Sequence, residues 1–122
     1  MLKAAVISVV LIYALMSCTK DSASECTAVS FQKDIWPIVA TNCNLPACHT
    51  AATSNGIVLD SAVAYTNMTK SGTGYIQVGN PSNSLLYEQM ISLSQPMPPS
   101  GALDASITSK IKCWILQGAK ND

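Results

Sequence analysis

The chain has 122 residues, of which 48% are hydrophobic and 11% are charged, and its basic and acidic residues balance at seven each. All the basic residues are lysines, because the sequence contains no arginine. Binding to nucleic acid requires a clustered basic face, so this composition argues against nucleic acid as a partner. The length fits one small domain, whose modest core gains from covalent or cofactor crosslinks.

Residues 1–17 are typical of an export signal. Lys3 supplies a positive charge, and the apolar run that follows is too short to span a membrane as an ordinary helix. The run ends in L-M-S-C at residues 15–18, which resembles a bacterial lipobox. We therefore predict a signal peptide over residues 1–17, lipidation at Cys18 and a linker over residues 18–28. The alternative is a plain signal or anchor with a chance cysteine.

The predicted domain spans residues 29–122 and opens with a helix. Ser30 can cap this helix, and an apolar stripe at helical spacing follows it. Pro37 cannot continue a helix, and it disfavours the α conformation at the preceding Trp36. We therefore predict two short helical pieces, or one kinked helix, leading into Cys43.

The sequence C-N-L-P-A-C-H over residues 43–49 carries the strongest chemical signal. Two cysteines followed directly by a histidine are typical of a c-type haem attachment site, normally C-x-x-C-H. The thiols of Cys43 and Cys48 could each bond to a haem vinyl group, and the imidazole of His49 could bind the iron as its proximal ligand. His49 is the single histidine of the chain.

The spacing of this motif leaves alternatives open. Four residues separate the cysteines instead of two, so the loop must bulge, which Asn44 and Pro46 would favour. The same residues could instead form a Cys43–Cys48 disulfide beside an incidental histidine. A zinc site would need a fourth ligand, and adjacent Cys48 and His49 are poorly placed to share one tetrahedral ion.

Two further helices are expected in the middle of the domain. Asp60 can cap a helix that runs to about Met68. Another helix should begin at Ser82 or Ser84 and carry an apolar stripe through Leu93.

A proline-rich loop over residues 95–101 holds the candidate distal ligand, Met97. Met68 and Met90 lie in apolar helical patterns, where methionine usually fills the core. Met97 instead lies between prolines, in a stiff segment that could hold a thioether at a fixed depth. The alternative is a surface methionine without a ligand role.

The last helix should run from Asp104 to about Gly118, with Trp114 on its apolar stripe. Cys113 falls to one side of that stripe, and Cys26 is the remaining cysteine. Because exported proteins lie in an oxidising compartment, we predict a Cys26–Cys113 disulfide, with two free thiols as the alternative.

Several short motifs occur in one order over residues 31–119. They are Phe31, Ile35 to Val39, Asn42-Cys43, Cys48-His49, Gly56 to Leu59, Met97 to Gly101 with Leu103, Ile111 to Ile115, and Gly118-Ala119. In this pattern the chain resembles small exported haem c proteins of Bacteroidetes-type bacteria, which are related to planctomycete-type cytochrome c domains. The resemblance implies an all-α, class I-like cytochrome c fold. Several short helices would surround one covalent haem, with the N- and C-terminal helices in contact.

Taken together, these features predict an electron carrier rather than an enzyme. His49 and Met97 would ligate the iron of one haem c, and single electrons would pass between a donor and an acceptor redox protein. The lipid on Cys18 would hold the protein at a bacterial membrane, and the absence of aspartate after it favours the outer membrane, on its periplasmic or surface face. The alternatives are a haem-free, disulfide-stabilised binding or structural lipoprotein, and a haem sensor or peroxidase with a displaceable Met97.

Overall fold

The computed structural model describes residues 23–53 and 56–122. Within these two ranges the chain is helical and contains no β-strand, in agreement with the predicted all-α class. None of the helices in this part of the chain has the length and apolar character needed to cross a bilayer. The predicted signal peptide over residues 1–17 and the lipidation site Cys18 lie outside the described residues.

Four short α-helices, one π-helical turn and two 3-10 turns make up the described part of the chain. The helices are α1 (Trp36–Asn42), α2 (Ala64–Thr69), α3 (Leu85–Ile91) and α4 (Ala105–Leu116), the π-helical turn is Phe31–Ile35, and the 3-10 turns are Ala23–Glu25 and Pro81–Asn83.

The first helical segment begins as predicted and divides into a π-helical turn and α1. The conformation of Trp36 at the junction differs from the prediction. The Ser30 hydroxyl accepts a hydrogen bond from the Lys33 N–H at 3.3 Å, which confirms it as a cap. The expectation that Trp36 would leave the α region was wrong, since its φ of −57° and ψ of −45° are helical. Its N–H donates to the carbonyl of Phe31, five residues back, as in a π-helix. This wider turn places Pro37 in the first turn of α1, where a missing N–H costs no helical hydrogen bond.

Helices α2 and α3 are both shorter than predicted. The side chain of Asp60 accepts a hydrogen bond from the Ala51 N–H at 3.1 Å, so it fastens the preceding loop, and α2 begins only at Ala64. Helix α3 ends at Ile91, and Leu93 is fully exposed beyond it. The predicted place of Leu93 in a helical stripe was therefore wrong.

Ser84 immediately precedes α3, as one of the two predicted starts. Its side chain is fully buried, and its hydroxyl donates to the Asn80 carbonyl at 2.9 Å and accepts from the Gln77 N–H at 2.9 Å. The hydroxyl thus stabilises the loop before α3 instead of capping the helix.

Three aromatic rings join the first helical turn, α2 and α4. Phe31 lies 5.1 Å from Tyr65 and 5.6 Å from Trp114, measured between ring centroids. Trp114 also donates a hydrogen bond from Nε1 to the carbonyl of Lys120 at 2.9 Å. The contact predicted between the N- and C-terminal helices is therefore present, and it is made by core aromatic residues.

A disulfide joins Cys26 to Cys113, with 5.5 Å between the two Cα atoms, as the sequence predicted. Gln117 reinforces this connection. Its Nε2 donates to the Thr27 carbonyl at 2.7 Å, and its Oε1 accepts from the Val29 N–H at 3.0 Å. The start of the domain is thus fastened to α4 by one covalent bond and by the Gln117 side chain.

The core lies between the π-helical turn, α2 and α4 and continues to an opening beside α1 and α3. Its buried hydrophobic residues are Phe31, Ile35, Val39, Leu59, Ala64, Met68, Ile76, Met90, Ile111, Trp114, Ile115 and Ala119.

Candidate functional site

Two adjoining clefts open at one end of this core. The first, called here the apolar cleft, has a cavity volume of about 140 Å³, and the second, the loop cleft, of about 210 Å³. Three residues line both clefts: Cys43, His49 and Met97. The other residues of the apolar cleft are Ile38, Val39, Ile57, Leu59, Tyr75, Leu85, Leu86, Gln89, Met90 and Ile111, and those of the loop cleft are Asn42, Ala47, Cys48, Pro98 and Pro99.

The imidazole of His49 is oriented by a backbone carbonyl. Its Nδ1 lies 3.1 Å from the carbonyl oxygen of Ile57. A carbonyl oxygen can only accept a hydrogen bond, so Nδ1 carries a proton, and in the neutral imidazole Nε2 then keeps a free lone pair. A histidine held in this tautomer can bind a metal ion through Nε2.

Backbone hydrogen bonds close the four-residue loop between the two cysteines. The His49 N–H donates to the Cys43 carbonyl at 3.2 Å, and the Cys48 N–H donates to the Leu45 carbonyl at 2.9 Å. Ala47 adopts a left-handed conformation with φ of +66°, which is uncommon for a residue with a side chain. The bulge predicted from Asn44 and Pro46 is thus completed at Ala47, where the sequence carried no signal.

Neither Cys43 nor Cys48 is in a disulfide, and both side chains are half-buried. Burial, with a smaller contribution from the neighbouring Cys48, raises the pKa of the Cys43 thiol to about 11. No group of three or more His, Cys, Asp or Glu side chains in the described residues is placed to hold a metal ion. The structure therefore contains neither the Cys43–Cys48 disulfide nor the clustered ligands of a zinc site.

Met97 differs from the other two candidate methionines in its setting. Its backbone N–H donates to the Gln89 carbonyl at 2.9 Å, which ties the proline-rich loop to the end of α3. Met97 is 40% exposed, whereas Met90 and Met68 are buried in the core. Met90 lines the apolar cleft from its wall, and Met68 lines neither cleft.

Residues 46–101 match the family model described as Planctomycete cytochrome C. Over this range, which is a little under half of the chain, the sequence is similar to planctomycete-type cytochrome c domains. The matched range includes Cys48, His49 and Met97, and it begins three residues after Cys43. Searches of curated proteins and of solved structures gave no significant match.

The two clefts fit a haem in the chemistry of their lining. Pockets for ligands of that class are lined mainly by apolar side chains, with a few polar groups at defined positions. The apolar cleft has this character, and His49 lines it with its Nδ1 oriented by the Ile57 carbonyl. The thiols of Cys43 and Cys48 and the thioether of Met97 belong to the same group of residues.

The main residue of the site that the sequence did not reveal is Gln89. It lines the apolar cleft, and its carbonyl holds Met97. This contact depends on how the loop after α3 folds back, and no local pattern encodes that. Tyr75 also lines the apolar cleft, whereas the Tyr65 hydroxyl donates to the carbonyl of Ala119.

Proposed function

We propose that this protein is a monohaem cytochrome c that carries single electrons between two redox proteins. The main observation behind the proposal is that Cys43, His49 and Met97 all line both of the adjoining clefts. Residues 46–101 are also similar to planctomycete-type cytochrome c domains. A bound haem would supply the one-electron iron couple.

Each of these residues would have a distinct role. Cys43 and Cys48 would hold the porphyrin through thioether bonds, and both thiols are unpaired. His49 would bind the iron through Nε2, because its Nδ1–H already donates to the Ile57 carbonyl. Met97 would complete a His/Met ligand pair, which favours a high reduction potential.

The lining of the clefts supports electron transfer over acid–base catalysis. Among the described residues that line them there is no Asp, Glu or Lys to move a proton. Apolar walls formed by residues such as Val39, Leu59 and Met90 would keep water away from the metal and favour the less charged, reduced iron.

We also propose that the mature protein is exported and anchored by a lipid on Cys18 at the outer membrane. This rests on the apolar stretch and the L-M-S-C sequence at residues 15–18. The Cys26–Cys113 disulfide supports export, because such bonds persist in oxidising compartments.

A haem stain and an intact-mass measurement test the proposal. The full chain is expressed in a bacterium that has a working cytochrome c maturation system, and the matured protein is purified. We expect a mass increased by one haem and by the lipid of a lipoprotein. A double Cys43→Ala, Cys48→Ala variant is the control, and it should carry no covalent haem. A colourless wild-type protein from that host rules the proposal out.

The partial exposure of Met97 favours one second candidate, a haem sensor or peroxidase. The backbone of Met97 is held by its hydrogen bond to Gln89, and 40% of the residue is accessible, so its thioether could be displaced by a ligand. The spectrum of the oxidised resting protein separates the two functions. A low-spin, six-coordinate spectrum supports electron transfer, and a high-spin spectrum supports the sensor or peroxidase.

A further inference from the structure

The surface around the two clefts carries almost no charge. Two segments supply most of the lining, residues 35–59 and residues 89–103, and neither contains an Asp, Glu, Lys or Arg. This is unusual in a chain with fourteen charged residues, seven of each sign, distributed over the rest of its length. The described residues that line the clefts therefore include no Asp, Glu, Lys or Arg.

Exposed apolar side chains lie within or beside the two lining segments. Leu45 lies between the two cysteines, Leu85 and Met97 line the apolar cleft, and each is about 40% exposed. Leu93 follows in the segment that joins α3 to Met97, and it is fully exposed. We call these four residues the uncharged face. Single exposed apolar residues are ordinary, but a group of them around one opening is typical of an interaction site.

The fold limits the distance between Leu93 and the clefts. The hydrogen bond from the Met97 N–H to the Gln89 carbonyl closes the chain between Gln89 and Met97 into a short loop. Leu93 is four residues from Met97, so their Cα atoms are separated by at most about 14 Å.

Four acidic residues flank the two segments in sequence. Each of them either has a partner of its own or does not line a cleft. Asp34 pairs with Lys110 at 3.2 Å, and Asp60 accepts from the Ala51 N–H. Glu88 and Asp104, at the ends of the second segment, are exposed, and neither lines a cleft.

We propose that the uncharged face docks a redox protein whose own contact surface is apolar and uncharged. The proposal rests on the electron-transfer function proposed above. A charged patch on the partner would lose its hydration at this face and find no opposite charge to replace it, which is unfavourable. An uncharged apolar patch would gain by burying Leu93 and its neighbours, and its association would depend little on salt.

Electron self-exchange between reduced and oxidised copies of the mature haem protein tests this directly. NMR line shapes give its rate constant, and both copies present the same face. We expect the wild-type rate constant to change less than about twofold between roughly 10 and 500 mM NaCl. Leu93→Lys places like charges opposite each other, so it should slow exchange by at least about fivefold at low salt and recover as salt is added.

Val78→Lys is the matched control. Val78 is also an exposed apolar residue, at 61%, but it lines neither cleft and lies outside both uncharged segments. The two variants change the net charge equally, so an effect confined to Leu93→Lys locates the contact at the uncharged face.

Four outcomes would overturn the docking proposal. A wild-type rate that rises more than about threefold with salt shows that charges, not apolar contacts, control the encounter. An equal effect of Val78→Lys places the contact elsewhere. A stable wild-type dimer in sedimentation assigns the face to a second copy. Phosphatidylcholine vesicles that slow exchange in the wild type but not in Leu93→Lys assign it to lipid. A protein without haem gives no exchange at all, which is the separate failure of the proposed function.

Discussion

The Nδ1 atom of His49 and the carbonyl oxygen of Ile57 lie 3.1 Å apart, and this contact connects the Cys-His motif to the next turn of the chain. The backbone reinforces it, because the N–H of Leu59 donates to the His49 carbonyl at 2.7 Å. The Nδ1 contact places a proton on that ring nitrogen, and the backbone bond holds the two segments together. Such an outer hydrogen bond commonly orients a metal-binding histidine and raises its basicity.

Replacing His49 with alanine should abolish stable haem incorporation. The variant loses the nitrogen that would bind the iron, and the Ile57 carbonyl loses the N–H that it accepts from. The ratio of haem absorbance to protein mass after expression with the maturation system is the measurement. Thr50→Ala, at the next position, is the control and should incorporate haem normally. A His49→Ala protein with a wild-type haem spectrum would assign the proximal bond to another residue.

Replacing Met97 with alanine should leave haem attached but open the sixth coordination position. We expect the weak sulfur-to-iron absorption band at long wavelength to disappear, added ligands to bind, and the reduction potential to fall, because a thioether favours reduced iron. Absorption spectra and a redox titration measure these changes.

Met90→Ala is the matched control for the distal ligand. Met90 lines the same cleft but is buried in α3, so its truncation should cost roughly 2–5 kcal/mol of stability without changing coordination. If Met90→Ala loses the low-spin spectrum while Met97→Ala keeps it, the distal ligand is Met90.

The sequence predicted the parts of this fold that depend on local patterns. The stripe containing Trp114 marked the last helix, and Ser30 marked the start of the first. The disulfide followed from the two cysteines left over, Cys26 and Cys113, in a chain predicted to be exported. These inferences worked because helical spacing, capping and cysteine pairing are encoded in few residues.

The errors occurred where an unexpected turn geometry or a contact with a residue farther along the chain overrode the local preference. Trp36 stays helical because a π-helical turn accommodates the proline after it. Asp60 fails to start α2 because its carboxylate binds Ala51, nine residues earlier. The position of Met97 depends on the Gln89 carbonyl, which no periodic pattern could reveal. The candidate haem-binding residues could be predicted from the sequence, but the tertiary fold was needed to show that they line one pair of clefts.

Removing the disulfide should destabilise the protein without altering its site. A double Cys26→Ser, Cys113→Ser variant opens a crosslink between residues 87 positions apart, and the chain-entropy model gives a loss on the order of 4 kcal/mol. Urea unfolding followed by far-UV circular dichroism measures the change, and the haem spectrum should stay as in the wild type. Mild reductant should destabilise the wild type and leave the variant unaffected. Equal stability of variant and wild type would contradict a structural role for this bond.

The carboxylate of Asp34 should make stability depend on pH in the acid range. Its Oδ2 accepts from the Ser30 N–H at 3.0 Å and its Oδ1 from Lys110 Nζ at 3.2 Å, and these bonds lower its pKa below the ordinary 3.8, with Ser30 the larger cause. Because the folded state binds this proton less readily than the unfolded state, the stabilisation is fully present above about pH 4 and is lost as the pH falls through the lower, folded-state pKa.

The variant Asp34→Asn tests this expectation. The difference in unfolding free energy between wild type and Asp34→Asn should be largest near neutral pH and should shrink below about pH 4. Urea unfolding at several pH values measures it. Lys110→Met is the matched control, since it removes the smaller of the two interactions and leaves the Ser30 hydrogen bond intact, so most of the pH dependence should remain. A difference that stays constant down to pH values well below about 3 would show that Asp34 does not titrate with folding.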